Sequence, residues 1–103
     1  MYRQQLHVKV VLGKYREFYD VITNLNEELK RKDLTQVQMW SPATGDEMNT
    51  VILVSDFNSL ADWESANHKF LTDPEVMKIW RESVSYVDGR PREELLQSVY
   101  EIA

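Results

Sequence analysis

Residues 48–70, MNTVILVSDFNSLADWESANHKF, change from a strand pattern to a helix pattern with almost nothing between them. Val51-Ile52-Leu53-Val54 is an apolar, largely β-branched run, as expected for a strand buried on both faces and therefore central in a sheet. This strand is expected over Asn49–Phe57. Ser59 then stands at a capping position and Asp62 in the first helical turn. Leu60, Trp63, Ala66 and Phe70 recur at helical spacing. A central strand feeding directly into an amphipathic helix confines the chain to folds in which helices cover a sheet.

The remaining elements can be placed around that unit. From Gln4 to Leu12 apolar residues alternate, with Leu6, Val8, Val10 and Leu12 on one face and His7 and Lys9 on the other, the pattern of a half-buried strand. Gly13 ends it. Lys14 to Lys32 reads as an amphipathic helix with a stripe of Tyr15, Phe18, Tyr19, Ile22, Leu25 and Leu29. Glu27/Arg31 and Glu28/Lys32 are expected as i,i+4 pairs on its exposed side. Leu34–Ser41 is expected as a second strand. The turn Pro42-Ala43-Thr44-Gly45-Asp46 joins it to the central strand as an antiparallel hairpin. After the Ser59 helix, Asp73 and Pro74 cap and start another helix with a Val76, Met77, Trp80 and Val84 stripe. Asp88-Gly89-Arg90-Pro91 is a connector, and Leu95–Ile102 is expected as the last strand.

The order β-α-β-β-α-(α)-β is that of an α+β, ferredoxin-like domain with a four-stranded antiparallel sheet and helices on one face. The whole chain, 1–103, reads as one domain. The opposite sheet face would carry His7, Lys9, Val11, Gln36, Gln38 and Trp40, too apolar for open solvent and too polar for a dry core. A self-pairing contact between two sheets, making a homodimer, suits that mixture.

Composition excludes several classes of function. With no cysteine, disulfides, thiolate metal sites and cysteine nucleophiles are impossible, and a reducing cytoplasm is the compatible setting. A net charge of −5 without a clustered Lys/Arg face argues against nucleic acid and anionic membrane as partners. The apolar runs are too short for a membrane span, and the strand pattern at the N-terminus leaves no signal peptide to expect. There is no G-x-S-x-G elbow and no glycine-rich phosphate loop.

Met39-Trp40 at the end of the second strand and Met48-Asn49 at the start of the third carry a family likeness. So do the run Val54-Ser55-Asp56-Phe57-Asn58-Ser59-Leu60-Ala61-Asp62-Trp63-Glu64 and Asp73-Pro74-Glu75. In these the chain resembles the NIPSNAP-like group of the dimeric α+β barrel superfamily over nearly its whole length. The resemblance implies a homodimer with two sheets facing each other and a pocket between sheet and helices in each subunit. It implies no particular reaction. The superfamily also contains cofactor-independent monooxygenases of antibiotic pathways and haem-degrading oxygenases. The latter use a first-strand Asn and a Trp and His about ten residues apart. Here the first strand offers Gln4, Gln5 and His7, and ten residues beyond Trp63 stands Asp73, with His68 only five residues on. The haem-degrading triad is not reproduced.

His7 and His68 are the candidates for general base chemistry. Glu64 and His68 share a helix face, but with no third ligand in view no metal site is expected. Glu93-Glu94 reads as a solvated acidic pair. Trp63 and Trp80 fall on helix stripes, where packing against the sheet is the default. Trp40 and, on the last strand, Tyr100 suit a cavity or dimer contact better. The candidate ligand-binding set is His7, Gln38, Trp40, Trp63 and Tyr100, with no cofactor implied. Three readings stay open: a homodimeric barrel binding a small, partly apolar molecule, a cofactor-independent oxygenase, and a non-catalytic dimerisation module.

Overall fold

The computed structural model describes residues 1–45 and 49–100. Four strands and three helices follow in the order β1 (Tyr2–Lys9), α1 (Tyr15–Arg31), β2 (Gln38–Trp40), β3 (Thr50–Phe57), α2 (Leu60–Thr72), α3 (Pro74–Val84) and β4 (Arg92–Gln97). The sheet is antiparallel throughout, with strand order β2-β3-β1-β4. The expected α+β, ferredoxin-like arrangement is therefore present, with β3 and β1 at the centre. None of the described helices is long and apolar enough to cross a membrane.

Alternation along the strands divides the sheet into two chemical faces. Leu6 and Val8 of β1 and Val51, Leu53 and Phe57 of β3 point to the helices, and all but half-buried Leu6 are buried there. Phe18, Ile22, Leu25 and Leu29 of α1 and Val76 of α3 complete that core. On the other face, register places Trp40, Ile52, His7 and Arg92 in one row and Gln38, Val54, Gln5 and Glu94 in the next. None of the described helices covers this open face.

The helix starts follow the sequence closely. Ser59 Oγ accepts from the Asp62 N–H at 3.1 Å, and Asp73 Oδ1 accepts from the Glu75 and Val76 N–H groups, each at 3.1 Å. Lys32 Nζ donates to Asp73 at 2.7 Å and lies 3.4 Å from Glu28 and 3.3 Å from Glu75. The end of α1 is thereby tied to the α2–α3 junction.

Several sequence expectations need correction. β1 stops at Lys9 rather than Leu12: Val10 remains buried through an isolated bridge to Val87, but Leu12 is three-quarters exposed beyond it. Tyr15 and Tyr19 lie on the exposed side of α1, where Val21 takes an inward position instead. Glu28 is buried, and Arg31 pairs with it at 2.5 Å. Val84 is exposed while Ser83 turns inward, its hydroxyl donating to the Trp80 carbonyl.

Two strands are also displaced. β2 begins only at Gln38, because residues 34–37 leave the sheet and bond to α1. Leu34 N–H donates to Leu29 O, closing the helix end, and the Asn26 side chain takes both backbone groups of Val37. β4 is Arg92–Gln97, earlier than expected, because pairing with Tyr2–His7 of β1 sets its position. The expected continuation to Glu101 and Ile102 lies outside the described residues, as do Asp46 and Met48 of the hairpin.

Candidate ligand-binding site

A cavity of about 320 Å³ opens between the helix-facing side of the sheet and the three helices. Its apolar walls come from Leu6, Leu53 and Phe57 on the strands and Leu25 and Leu29 on α1. Phe70 of α2 and Trp80 of α3 meet edge to face, with ring centroids 5.7 Å apart and planes 78° apart. They form an aromatic corner of the lining. None of the described α2 residues is fully buried. The expected Leu60, Trp63, Ala66, Phe70 stripe is divided: Phe70 packs against the core, Leu60 is exposed, and Ala66, Asn67, Phe70 and Leu71 border the cavity.

Residues 34–37 supply a further wall through Leu34, Thr35 and Val37. Asn26 fixes it: its Nδ2 donates to Val37 O and its Oδ1 accepts from Val37 N–H, both at 2.8 Å. A half-buried amide thus substitutes for the strand partner this segment lacks. Ser55 Oγ donates to Gln36 O at 3.1 Å and holds the same segment to β3.

The polar lining is sparse. Gln4 Nε2 donates to Glu93 Oε1 at 2.7 Å, while Ser55, Thr35 and Asn67 add neutral groups. Among the described lining residues Glu93 is the single ionisable side chain. It comes from β4, an edge strand, and stands largely exposed at the rim. Few polar groups in a mostly apolar concavity of this volume is the usual constitution of a small-molecule pocket.

The candidates named from sequence are distributed differently. His7, Gln38 and Trp40 come together on the open face, where Trp40 Nε1 donates to Gln38 Oε1 at 3.0 Å. His7 Nε2 lies 2.8 Å from Glu94 Oε1, but neither ring nitrogen is aligned for a hydrogen bond. Glu94 also accepts from Arg92 at 2.8 Å. His7, Lys9, Thr50, Asp88, Arg90 and Arg92 border a second, shallow and polar basin of about 430 Å³ at one end of the sheet. Trp63 is half-buried, with its indole N–H enclosed and unpartnered, and lies outside the cavity lining. His68 is exposed on α2, and Tyr100 is almost fully exposed beyond β4. Among the described residues, no three His, Asp or Glu side chains gather as a metal site would require.

Sequence reasoning passed over Gln4, Ser55 and Glu93, although a signal was present. Gln4 is in phase with Leu6 and Val8, and Ser55 with Leu53 and Phe57, so both fall on the apolar, helix-facing side. A polar residue in the apolar phase of a strand marks either a packing fault or a lined cavity. In sequence Glu93 and Glu94 read as one solvated pair. On a strand, neighbours point to opposite faces: Glu93 borders the cavity, and Glu94 stands beside His7 on the open face.

The NIPSNAP family profile matches residues 9–97. No curated protein matches the chain. An uncharacterised NIPSNAP domain protein from Burkholderia xenovorans has the same fold, with a TM-score of 0.82, 13% identity and coverage of 100% of this chain and 99% of that one. A NIPSNAP family protein from Agrobacterium tumefaciens superposes with a TM-score of 0.76 at 13% identity, covering 93% and 90%. A candidate antibiotic biosynthesis monooxygenase from Nitrosomonas europaea gives 0.70 at 15% identity, covering 97% and 100%. At these identities the structural likenesses establish the fold alone.

Proposed function

Since the chain belongs to the NIPSNAP family, we propose that it is a homodimeric α+β barrel protein that binds a small, partly apolar molecule between its sheet and helices. The observation that carries this reading is the cavity of about 320 Å³, with its apolar walls, aromatic corner and rim carboxylate. A packed core of the same elements would leave no such space. The proposed dimer joins two open faces, so His7, Gln38 and Trp40 meet the second copy rather than the ligand. Trp40 is 55% exposed in a single chain and half-buried Ile52 lies beside it, an apolar content suited to an interface. The absence of cysteine supports placing the protein in the cytoplasm.

Native mass spectrometry of the freshly purified protein tests both parts. A dimer carrying additional mass supports the reading and supplies the ligand for identification. A monomer at micromolar concentration refutes the dimer. Failure of every apolar probe to quench Trp80 fluorescence refutes the cavity as a binding site.

The fold likeness to the Nitrosomonas europaea protein favours a second reading, a cofactor-independent oxygenase. That chemistry needs a titratable group beside the substrate. His7 and His68 are the histidines available, but Glu93 is the ionisable group that borders the cavity. With substrate in the cavity, Glu93→Gln abolishes turnover and His68→Ala spares it. The opposite pattern moves the chemistry out of the cavity.

A further inference from the structure

We propose that the cavity selects by charge, accepting neutral or cationic hydrogen-bond donors with an aromatic-sized apolar body and rejecting carboxylates and phosphates. The inference rests on the binding reading above and deepens it. Among the described residues Glu93 is the only ionisable group in the lining, and none of the described Lys, Arg or His residues borders the cavity to neutralise an anion. Gln4 Nε2 is already committed to Glu93 Oε1 at 2.7 Å, which leaves Glu93 Oε2 as an acceptor at the rim. An amine or hydroxyl can donate to that oxygen, whereas an anion meets it with like charge. The neutral amide of Asn67 has no hydrogen-bond partner among the described residues and can serve the same ligand group or a second one.

The walls set the size. About 320 Å³ is roughly twice the volume of an engineered cavity that takes one benzene ring, so two fused rings or one ring with a short side chain fit. The edge-to-face pair Phe70 and Trp80 borders such a body, and half-buried Leu6, Leu34 and Val37 remove its apolar surface from water. The apolar contacts hold the ring system while Glu93 decides which polar end may accompany it.

The test uses three size-matched probes, 2-naphthylmethylamine, 2-naphthalenemethanol and 2-naphthoate, with the affinity of each read by calorimetry and Trp fluorescence at pH 7. The amine and the alcohol are expected to bind at least about tenfold more tightly than naphthoate, with the preference for the amine declining in high salt. Glu93→Gln should weaken the amine, strengthen naphthoate and leave the alcohol within about threefold, because a rim charge acts on charged ligands far more than on neutral ones. Ala66→Phe, which places a ring in the cavity, should abolish binding of all three. Equal affinity for amine and naphthoate in the wild type overturns the charge selection while leaving the binding reading intact. No binding of any probe removes the binding reading and the selection with it. Binding that survives Ala66→Phe places the probes elsewhere and also overturns the proposal.

Discussion

Asn26→Ala should destabilise the protein far more than a helix-surface substitution would, and should open the cavity wall at the same time. Asn26 occupies an α1 position, where alanine is the better helix former by about 0.5 kcal/mol. Propensity alone therefore predicts a small gain in stability. Against it stand two hydrogen bonds of 2.8 Å to the backbone of half-buried Val37. Each contributes about 0.5–1.5 kcal/mol, and a deserted buried backbone group costs about 1–3 kcal/mol. The loss prevails by a net of about 2–3 kcal/mol, which lowers the melting temperature by about 10–20 °C in a chain of this size. Asn26→Asp is a useful companion: its carboxylate can still accept from the Val37 N–H but repels the Val37 carbonyl, so it should also destabilise. The assay is urea unfolding at one fixed protein concentration, with hydrogen exchange at the Val37 amide. Because Leu34, Thr35 and Val37 line the cavity, the Ala variant should also lose affinity for an apolar probe. A variant as stable as the wild type, with the Val37 amide still protected, would refute the view that one side chain holds this segment off the sheet.

Trp40→Asp and Gln38→Glu each place a charge in the proposed contact between open faces, and sedimentation equilibrium should show weaker self-association for both. Association unchanged in both variants would exclude this face. Leu25→Ala, at a side chain 1% exposed against the cavity and core, should cost about 2–5 kcal/mol in unfolding, toward the lower end if the existing cavity lets neighbours relax. Asp56 and Asp73 both ionise below the usual carboxyl value of 3.8, Asp56 because Arg3 donates to it and Asp73 because Lys32 and then the Val76 N–H donate to it. Folding therefore gains from both carboxylates fully above about pH 4 and loses that gain as pH falls through their folded values. Lys32→Met and Arg3→Met should each flatten the acid limb of a stability–pH curve, and an unchanged limb would contradict the assignment.

Local chemistry made the helix-and-strand frame legible. Ser59 and Asp73 cap α2 and α3 as their positions in the sequence require, and the Val51–Val54 run lies inside the sheet. Where partners distant in sequence decide, the pattern misled. The alternation of Val37 and Met39 persists whether or not the backbone is paired, yet Asn26, eleven residues earlier, withdraws Val37 from the sheet. Apolar content drew the last strand toward Val99 and Tyr100, both strongly exposed, whereas β1 selects the charged stretch Arg92–Gln97 as its partner. An edge strand can carry Arg92, Glu93 and Glu94 because its charges reach water.

The site was harder to read than the fold because a single step along a strand exchanges one function for another. His7 drew attention as a titratable residue, but it shares a row with Ile52 and Trp40 on the open face. Gln4, an odd number of positions away, points to the helices, as do Leu6 and Val8, and holds Glu93. The same parity separates Glu93, at the cavity rim, from Glu94, which stands 2.8 Å from His7. Two adjacent acids thus stand on two surfaces, Glu93 at the proposed ligand cavity and Glu94 on the proposed dimer face. This separation gives an outcome that can be checked: Glu93→Gln should alter ligand preference without changing self-association, and Glu94→Gln the reverse. If either substitution moves both properties together, the two faces are coupled through β4, and the division of labour argued from strand parity fails.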